Sequence, residues 1–148
     1  MMNRLPAHGS IPRGVLPYPY PAGDQGDTLA SLYWMNPLPQ TEAVEMRGKE
    51  LYTQMCVHCH GESGKGDGQL VTSKKFPNKP TDYTTLAKMN TTDGHIYHII
   101  MYGRNAMGSH SSQLSIDERW HVVRYVQRLA RGNVSLEEFN KKAAADTT

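Results

Sequence analysis

With only two cysteines among 148 residues, the chain has no second thiol pair from which to build a four-cysteine metal knot. Phenylalanine is equally scarce, with two residues, and the hydrophobic content of 38% is low for a self-sufficient core of this length. A buried cofactor would supply the missing packing. There is little charge of one sign: 16 basic and 14 acidic residues leave a formal charge of +2. That balance argues against a nucleic-acid-binding domain, which concentrates basic charge. No apolar run is long enough to cross a bilayer. The opening MMNRLPAHGSIPRG lacks the apolar centre of a signal peptide, so it reads as cytosolic or already processed. No stretch has the alternation of a strand, and no internal repeat is present.

Proline is abundant in one place only. Seven of the nine prolines fall before residue 40, including the YPYP run at 18–21. Proline lacks an amide hydrogen and interrupts helices and ladders, so residues 1–40 read as an extended arm. Tyr18, Tyr20, Leu32, Tyr33 and Trp34 are costly to leave in water, and the arm is expected to lie along its own domain or a partner.

Residues 41–132 carry the helical patterns of one domain. Thr41 is an N-cap candidate, and Val44, Gly48, Leu51, Tyr52 and Met55 share one helical face running into Cys56. An interior glycine costs roughly 1 kcal/mol against alanine, and close approach of another backbone is its usual reason. Residues 61–91 read as irregular loop with a helical turn near Thr84–Lys88, held by something other than secondary structure. A short helix follows Thr91 or Thr92, with Ile96, Ile99 and Ile100 as its apolar edge and Gly103 as its stop. The clearest helix starts at a capping box, Ser115 with Glu118, and buries Val122, Tyr125, Val126 and Leu129. In residues 133–148 a second box, Ser135 with Glu138, opens a short terminal helix before a fraying AAADTT tail.

Chemistry concentrates in CVHCH, residues 56–60. A zinc site would need remote His95, His98 or His110 to complete its ligands. A redox dithiol belongs at a helix N-terminus beside a sheet, whereas here the helix precedes the motif. The third reading is covalent haem attachment: both thiols add across the haem vinyl groups, and the adjacent His60 becomes the proximal iron ligand. One turn of chain places two sulfurs along one porphyrin edge. His58 then acts as a solvent-facing spacer. For the second axial position the candidates are Met89, Met101, Met107, His95, His98 and His110. Met101 belongs to the apolar helix and to the core. Met107, in a loop where glycine and serine permit close approach, is the first choice and His110 the alternative.

CVHCHG, the helix with Gly48 and Tyr52, the late GRNAM loop and the closing helix together resemble a class I monohaem cytochrome c over roughly residues 41–132. The resemblance implies an all-α fold in which the first and last helices cross, with Gly48 and Tyr52 meeting Val122 and Tyr125. It implies Cys56 and Cys59 as thioether anchors of one haem c, with His60 and Met107 as iron ligands. It also implies that the Pro80 carbonyl accepts the other ring N–H of His60, with Pro77 as competitor. GKGDGQLV, FPNKPTDY and HIIMYGRNAMGSHSSQLSIDERWHVVRYV behind a proline-rich arm further resemble the small cytochrome c subunit of bacterial alternative complex III, a quinol-oxidising respiratory assembly. Gly108 stands where such relatives often carry proline, and no spare cysteine exists for a lipid anchor.

From this resemblance come the functional expectations. They are electron transfer without bond chemistry, partners within a membrane respiratory complex, and a location on the periplasmic side of a bacterial membrane, held by partners or by an anchor upstream. The competing readings are a free periplasmic carrier and a haem enzyme or gas sensor with accessible iron. Lys65, Lys74, Lys75, Lys79 and Arg104 sit on loops expected around the haem and would steer an acidic partner. Arg104 or Tyr102 is expected to meet a haem propionate.

Overall fold

The computed structural model describes residue 10, residues 17–86 and residues 89–147. Among them are seven α-helices in the order α1 (Asp24–Tyr33), α2 (Glu42–Met55), α3 (Val57–His60), α4 (Gln69–Thr72), α5 (Asp93–Tyr102), α6 (Ile116–Ala130) and α7 (Leu136–Asp146), with a 3-10 turn at Tyr83–Thr85. The described residues contain no strand beyond an isolated bridge between Arg104 and Met107. The all-α expectation therefore holds.

Local chemistry sets the helix ends as read from the sequence. Thr41 caps α2 by accepting from the Val44 amide, Thr92 caps α5 and Gly103 ends it at φ +78°, and Ser115 and Glu118 close a reciprocal box at α6. Each cap satisfies an amide that the helix cannot. The box at Ser135 and Glu138 also forms, but α7 continues to Asp146 with no buried residue. It extends well into the segment expected to fray.

The arm needs a larger correction. Residues 1–9 and 11–16 lie outside the described residues, as do Ala87 and Lys88 of the expected turn. Residues 24–33, however, are not extended: they form α1, with Gly23 at φ +100° before it and Asp24 and Asp27 in its first turn. The prolines stop at 21 and resume at 37, and the gap is long enough for a helix. Helix α1 lies on α5 through small residues. A Cβ at Gly94 would overlap the Ala30 carbonyl, and one at Gly26 would overlap the Pro21 carbonyl and crowd the His98 ring. Tyr18 and Trp34 pack on Tyr97, Tyr20 packs on both of them, and Trp34 stacks on Trp120 at 5.9 Å.

The largest helix-to-helix contact joins α2 and α6. At its centre Gly48 has no room for a side chain, because a Cβ would overlap the His121 carbonyl and meet the Tyr125 Cβ at 2.9 Å. Tyr52 and Tyr125 pack edge to face at 5.2 Å. One core continues from this crossing through Leu51, Ile96, Ile100, Leu114, Val122 and Leu129. Beside it Glu45, 2% exposed, accepts from Arg128 at 2.9 Å and Arg131 at 2.6 Å.

Candidate cofactor site

Helix α2 ends by delivering Cys56, whose amide donates to the Tyr52 carbonyl at 2.8 Å. The next turn, α3, closes on it. Cys59 and His60 donate their amides to the Cys56 carbonyl at 3.2 and 3.0 Å, so both thiols and the imidazole leave from one helical turn. Gly61, at φ +78°, then turns the chain, and Tyr52 Oη donates to its carbonyl at 2.6 Å.

The glycine-rich segment after His60 is held by its own backbone. The amide of Gly66 donates to the His60 carbonyl at 2.9 Å and that of Gly68 to the Cys59 carbonyl at 3.1 Å. Tyr83 is tied to the same segment by its amide, which donates to Gly64 at 2.7 Å, and its ring stacks on His60 at 4.8 Å with 19° between planes. These bonds answer what holds residues 61–91: glycine permits the carbonyls of α3 to be approached directly, without a ladder.

The electrostatics favour a neutral site. Burial, with a smaller contribution from His110, pushes the His60 imidazole down to about 4, so near neutrality the ring is uncharged and retains a lone pair. Burial, assisted by Cys59, pushes the Cys56 thiol up to about 12. Both cysteines are unpaired. Nδ1 of His60 is buried without a hydrogen-bond partner, so the Pro80 contact implied by the family resemblance is not formed. The Pro80 carbonyl lies instead against Gly66, where a Cβ would overlap it, and the exposed Pro77 does not replace it.

In the loop after α5, Arg104 and Met107 exchange both backbone hydrogen bonds at 2.9 Å, making a tight turn that holds a half-buried Met107. Gly103 allows this closure, since a Cβ there would overlap the Met107 carbonyl. His110 is anchored by its amide on the Ile100 carbonyl at 2.9 Å. Its Nδ1 lies 3.1 Å from the Gly108 carbonyl; a carbonyl only accepts, so Nδ1 is the donor of this contact.

The other distal candidates are drawn elsewhere. Met89 is 68% exposed. Met101 is half-buried on α5. His95 pairs with Asp27 at 2.6 Å, and His98 lies 2.8 Å from Tyr18 Oη. Among the described residues no three His, Cys, Asp or Glu side chains are arranged to hold a metal ion, so the zinc arrangement is not assembled. The two residues expected at a propionate both turn to the N-terminal segment: Tyr102 Oη donates to the Tyr20 carbonyl at 2.7 Å, and Arg104 pairs with Asp27 at 3.2 Å. Lys65, Lys74, Lys75 and Lys79 are exposed as expected.

Sequence reasoning missed Tyr83 against His60, and Asp27 against His95 and Arg104. The tyrosine stands in FPNKPTDY, but nothing in its spacing announces a stacking partner 23 residues earlier. Asp27 lies in the segment read as an extended arm, where nothing in the sequence marks it as a partner of α5.

A turn carrying two unpaired thiols and, next to the second, a half-buried imidazole that is uncharged near neutrality fits covalent attachment of a haem, and these features define a c-type cytochrome. The comparisons agree. A family model described as cytochrome c oxidase, cbb3-type, subunit III matches residues 43–126, and the chain belongs to that family of cytochrome c domains, with covalently bound haem c as its cofactor. Among solved structures, a chain of the reducing HAO-like protein complex of Kuenenia stuttgartiensis is 34% identical, with a TM-score of 0.53 over 63% of this chain and 46% of its own length. The present chain therefore spans less than half of that neighbour. No curated protein matches it. No helix among the described residues is long and apolar enough to cross a membrane.

Proposed function

We propose that the chain is a one-electron carrier in which Cys56 and Cys59 anchor a single haem and His60 and Met107 ligate its iron. Bound haem supplies the Fe(III)/Fe(II) couple, and Met/His ligation raises its potential. The chain's own residues do the rest. The α3 turn fixes the thiols and the imidazole together, Tyr83 and Tyr52 hold the ring and its following carbonyl, and the Arg104–Met107 loop presents the thioether. The observation that carries the reading is the half-buried His60 imidazole, uncharged near neutrality and carried on one turn with two free thiols. A spectrum of the reduced protein tests it, together with acid-acetone extraction. A c-type band that stays with the polypeptide is expected, and an extractable haem would sink it.

A second distal ligand is favoured by one specific contact. His110 has its Nδ1 proton on the Gly108 carbonyl, the arrangement in which Nε2 is free to ligate. The weak near-infrared methionine-to-iron absorption of the oxidised protein separates the two. It is present with Met107 and absent with His110. Rapid carbon monoxide binding to the reduced protein at neutral pH would instead favour an accessible iron, as in a haem enzyme or gas sensor.

The carrier is further proposed to work as a subunit of a quinol-oxidising respiratory complex, akin to alternative complex III, on the periplasmic side of a bacterial membrane and passing electrons towards an oxidase. Support comes from the proline-rich N-terminus, which a free shuttle has little use for, and from the similarity to a chain of a reducing HAO-like protein complex. Deleting residues 1–16 should release the protein from a purified complex while leaving its spectrum unchanged. Retention in the complex would defeat the subunit reading and favour either another docking surface or a free carrier. Residues 17–35 must stay, because they are packed on α5 and α6.

A further inference from the structure

Helix α1 belongs to neither the thiol turn nor the ligand loop, yet it is joined to both ends of the segment that leads to Met107. Asp27, 85% buried by side chain, spends its two oxygens on different partners: Oδ1 lies 2.6 Å from His95 Nδ1 at the start of α5, and Oδ2 accepts from Arg104 Nη1 at 3.2 Å beyond its end. Arg104 is the residue that exchanges both backbone hydrogen bonds with Met107. Tyr102 adds a second stitch to the same segment through the Tyr20 carbonyl. The platform is firm, because Gly94 brings α5 against the Ala30 carbonyl of α1 and Gly26 admits the His98 ring of α5.

We propose that Asp27 is a positioning residue for the distal side of the haem: from α1 it latches Arg104 and so holds the Met107 loop closed. This rests on the reading of the Arg104–Met107 loop as the distal ligand loop. The physical reason is the geometry of the loop. The loop is hinged on α5 at its two ends, by the Gly103 amide on the Ile99 carbonyl at 2.7 Å and the His110 amide on the Ile100 carbonyl at 2.9 Å, while its own closure runs from residue 104 to residue 107. The half-exposed Arg104 guanidinium adds the tie from the loop to α1, by reaching a largely buried carboxylate that His95 also holds. A charge-assisted bond to a carboxylate held in this way is stronger than an ordinary surface pair. Opening the loop requires breaking it, so the fraction of molecules with an open distal position is set in part by Asp27.

The test uses the purified holoprotein, with imidazole as the probe of an open distal position. Asp27→Asn keeps the side-chain volume and removes the charge. It is expected to tighten the apparent affinity of the oxidised protein for imidazole about threefold to tenfold, because that affinity scales with the open fraction. It should also speed hydrogen exchange of the Met107 amide by a similar factor. Arg104→Gln should do the same, and adding it to Asp27→Asn should bring little further change, since both remove one contact. Asp93→Asn serves as the control. Asp93 pairs with Arg124 at 3.0 Å, away from the loop, so this variant should lose thermal stability without changing imidazole affinity.

The latch is overturned if Asp27→Asn leaves both imidazole affinity and Met107 amide exchange at wild-type values, or if Asp93→Asn shifts them equally. Should Asp27→Asn fail to fold, Arg104→Gln decides alone, because it leaves the Asp27–His95 pair intact. Failure of the Met107 ligation reading is seen separately, as absence of the near-infrared absorption in the wild type. Amide exchange continues to test the latch in that case.

Discussion

Gly48 of α2 packs directly on the carbonyl of His121 in α6, with no space between them for even one carbon. The two helices that frame the haem turn are thus set by a backbone-to-backbone contact. Gly48→Ala must push them apart or overlap that carbonyl. Overpacking of this kind costs about 1–3 kcal/mol, and denaturant unfolding of the holoprotein should show a loss at or above that range. A near-wild-type midpoint would mean that the crossing relaxes freely.

Glu45 is enclosed with two guanidinium groups, of Arg128 and Arg131, and Arg128 also reaches the exposed Glu42. Glu45→Gln leaves both cations short of a buried counter-charge. Breaking one side of a buried pair costs about 3–5 kcal/mol, so a large fall in thermal midpoint is expected, larger than that of Glu42→Gln. Equal effects of the two substitutions, measured by calorimetry, would contradict this.

Burial lowers the His98 imidazole below its usual range, against the opposing pull of Asp27, and His95 and Arg104 add smaller decreases. Tyr18, whose hydroxyl is held protonated by burial, donates to it. The unfolded chain therefore binds a proton more readily, and stability rises with pH across the interval between the folded and unfolded values. The contribution is complete above the ordinary imidazole value of 6.5 and is lost as pH falls below it. Wild type should melt at lower temperature at pH about 5 than at pH about 7. His98→Gln, which cannot titrate, should show a smaller difference.

Replacing both anchors, Cys56→Ala with Cys59→Ala, should give a protein from which haem is extracted by acid-acetone, since no thioether can form. Either single substitution should retain one thioether and a shifted band. Haem that stayed covalently bound in the double variant would require another attachment site.

Much of this was legible because it is written in adjacent residues. CVHCH states its own chemistry through the spacing of two thiols and an imidazole, and the capping boxes at Ser115 and Ser135 need only side chains three positions apart. Gly48 announced a close contact by being a glycine on an apolar face. The helix within the arm was hidden because the flanking prolines dominate that stretch, while its own apolar face is made of Gly26 and Ala30, residues that carry almost no hydrophobic signal.

By itself the sequence determined the cofactor chemistry, the caps of α2, α5, α6 and α7 and the close approach at Gly48, since these follow from covalent spacing, local hydrogen bonding and the absence of a side chain. The tertiary structure decided which groups remain available. It turned Tyr102 and Arg104 towards Tyr20 and Asp27, set Tyr83 on His60, left His60 Nδ1 without the Pro80 carbonyl, and withdrew His95 and His98 from the distal position. Those outcomes depend on groups that meet across 23 to 82 residues of chain. Which of several competent partners a polar group meets is settled only when the packing of α1 on α5 and of α2 on α6 brings one of them within reach.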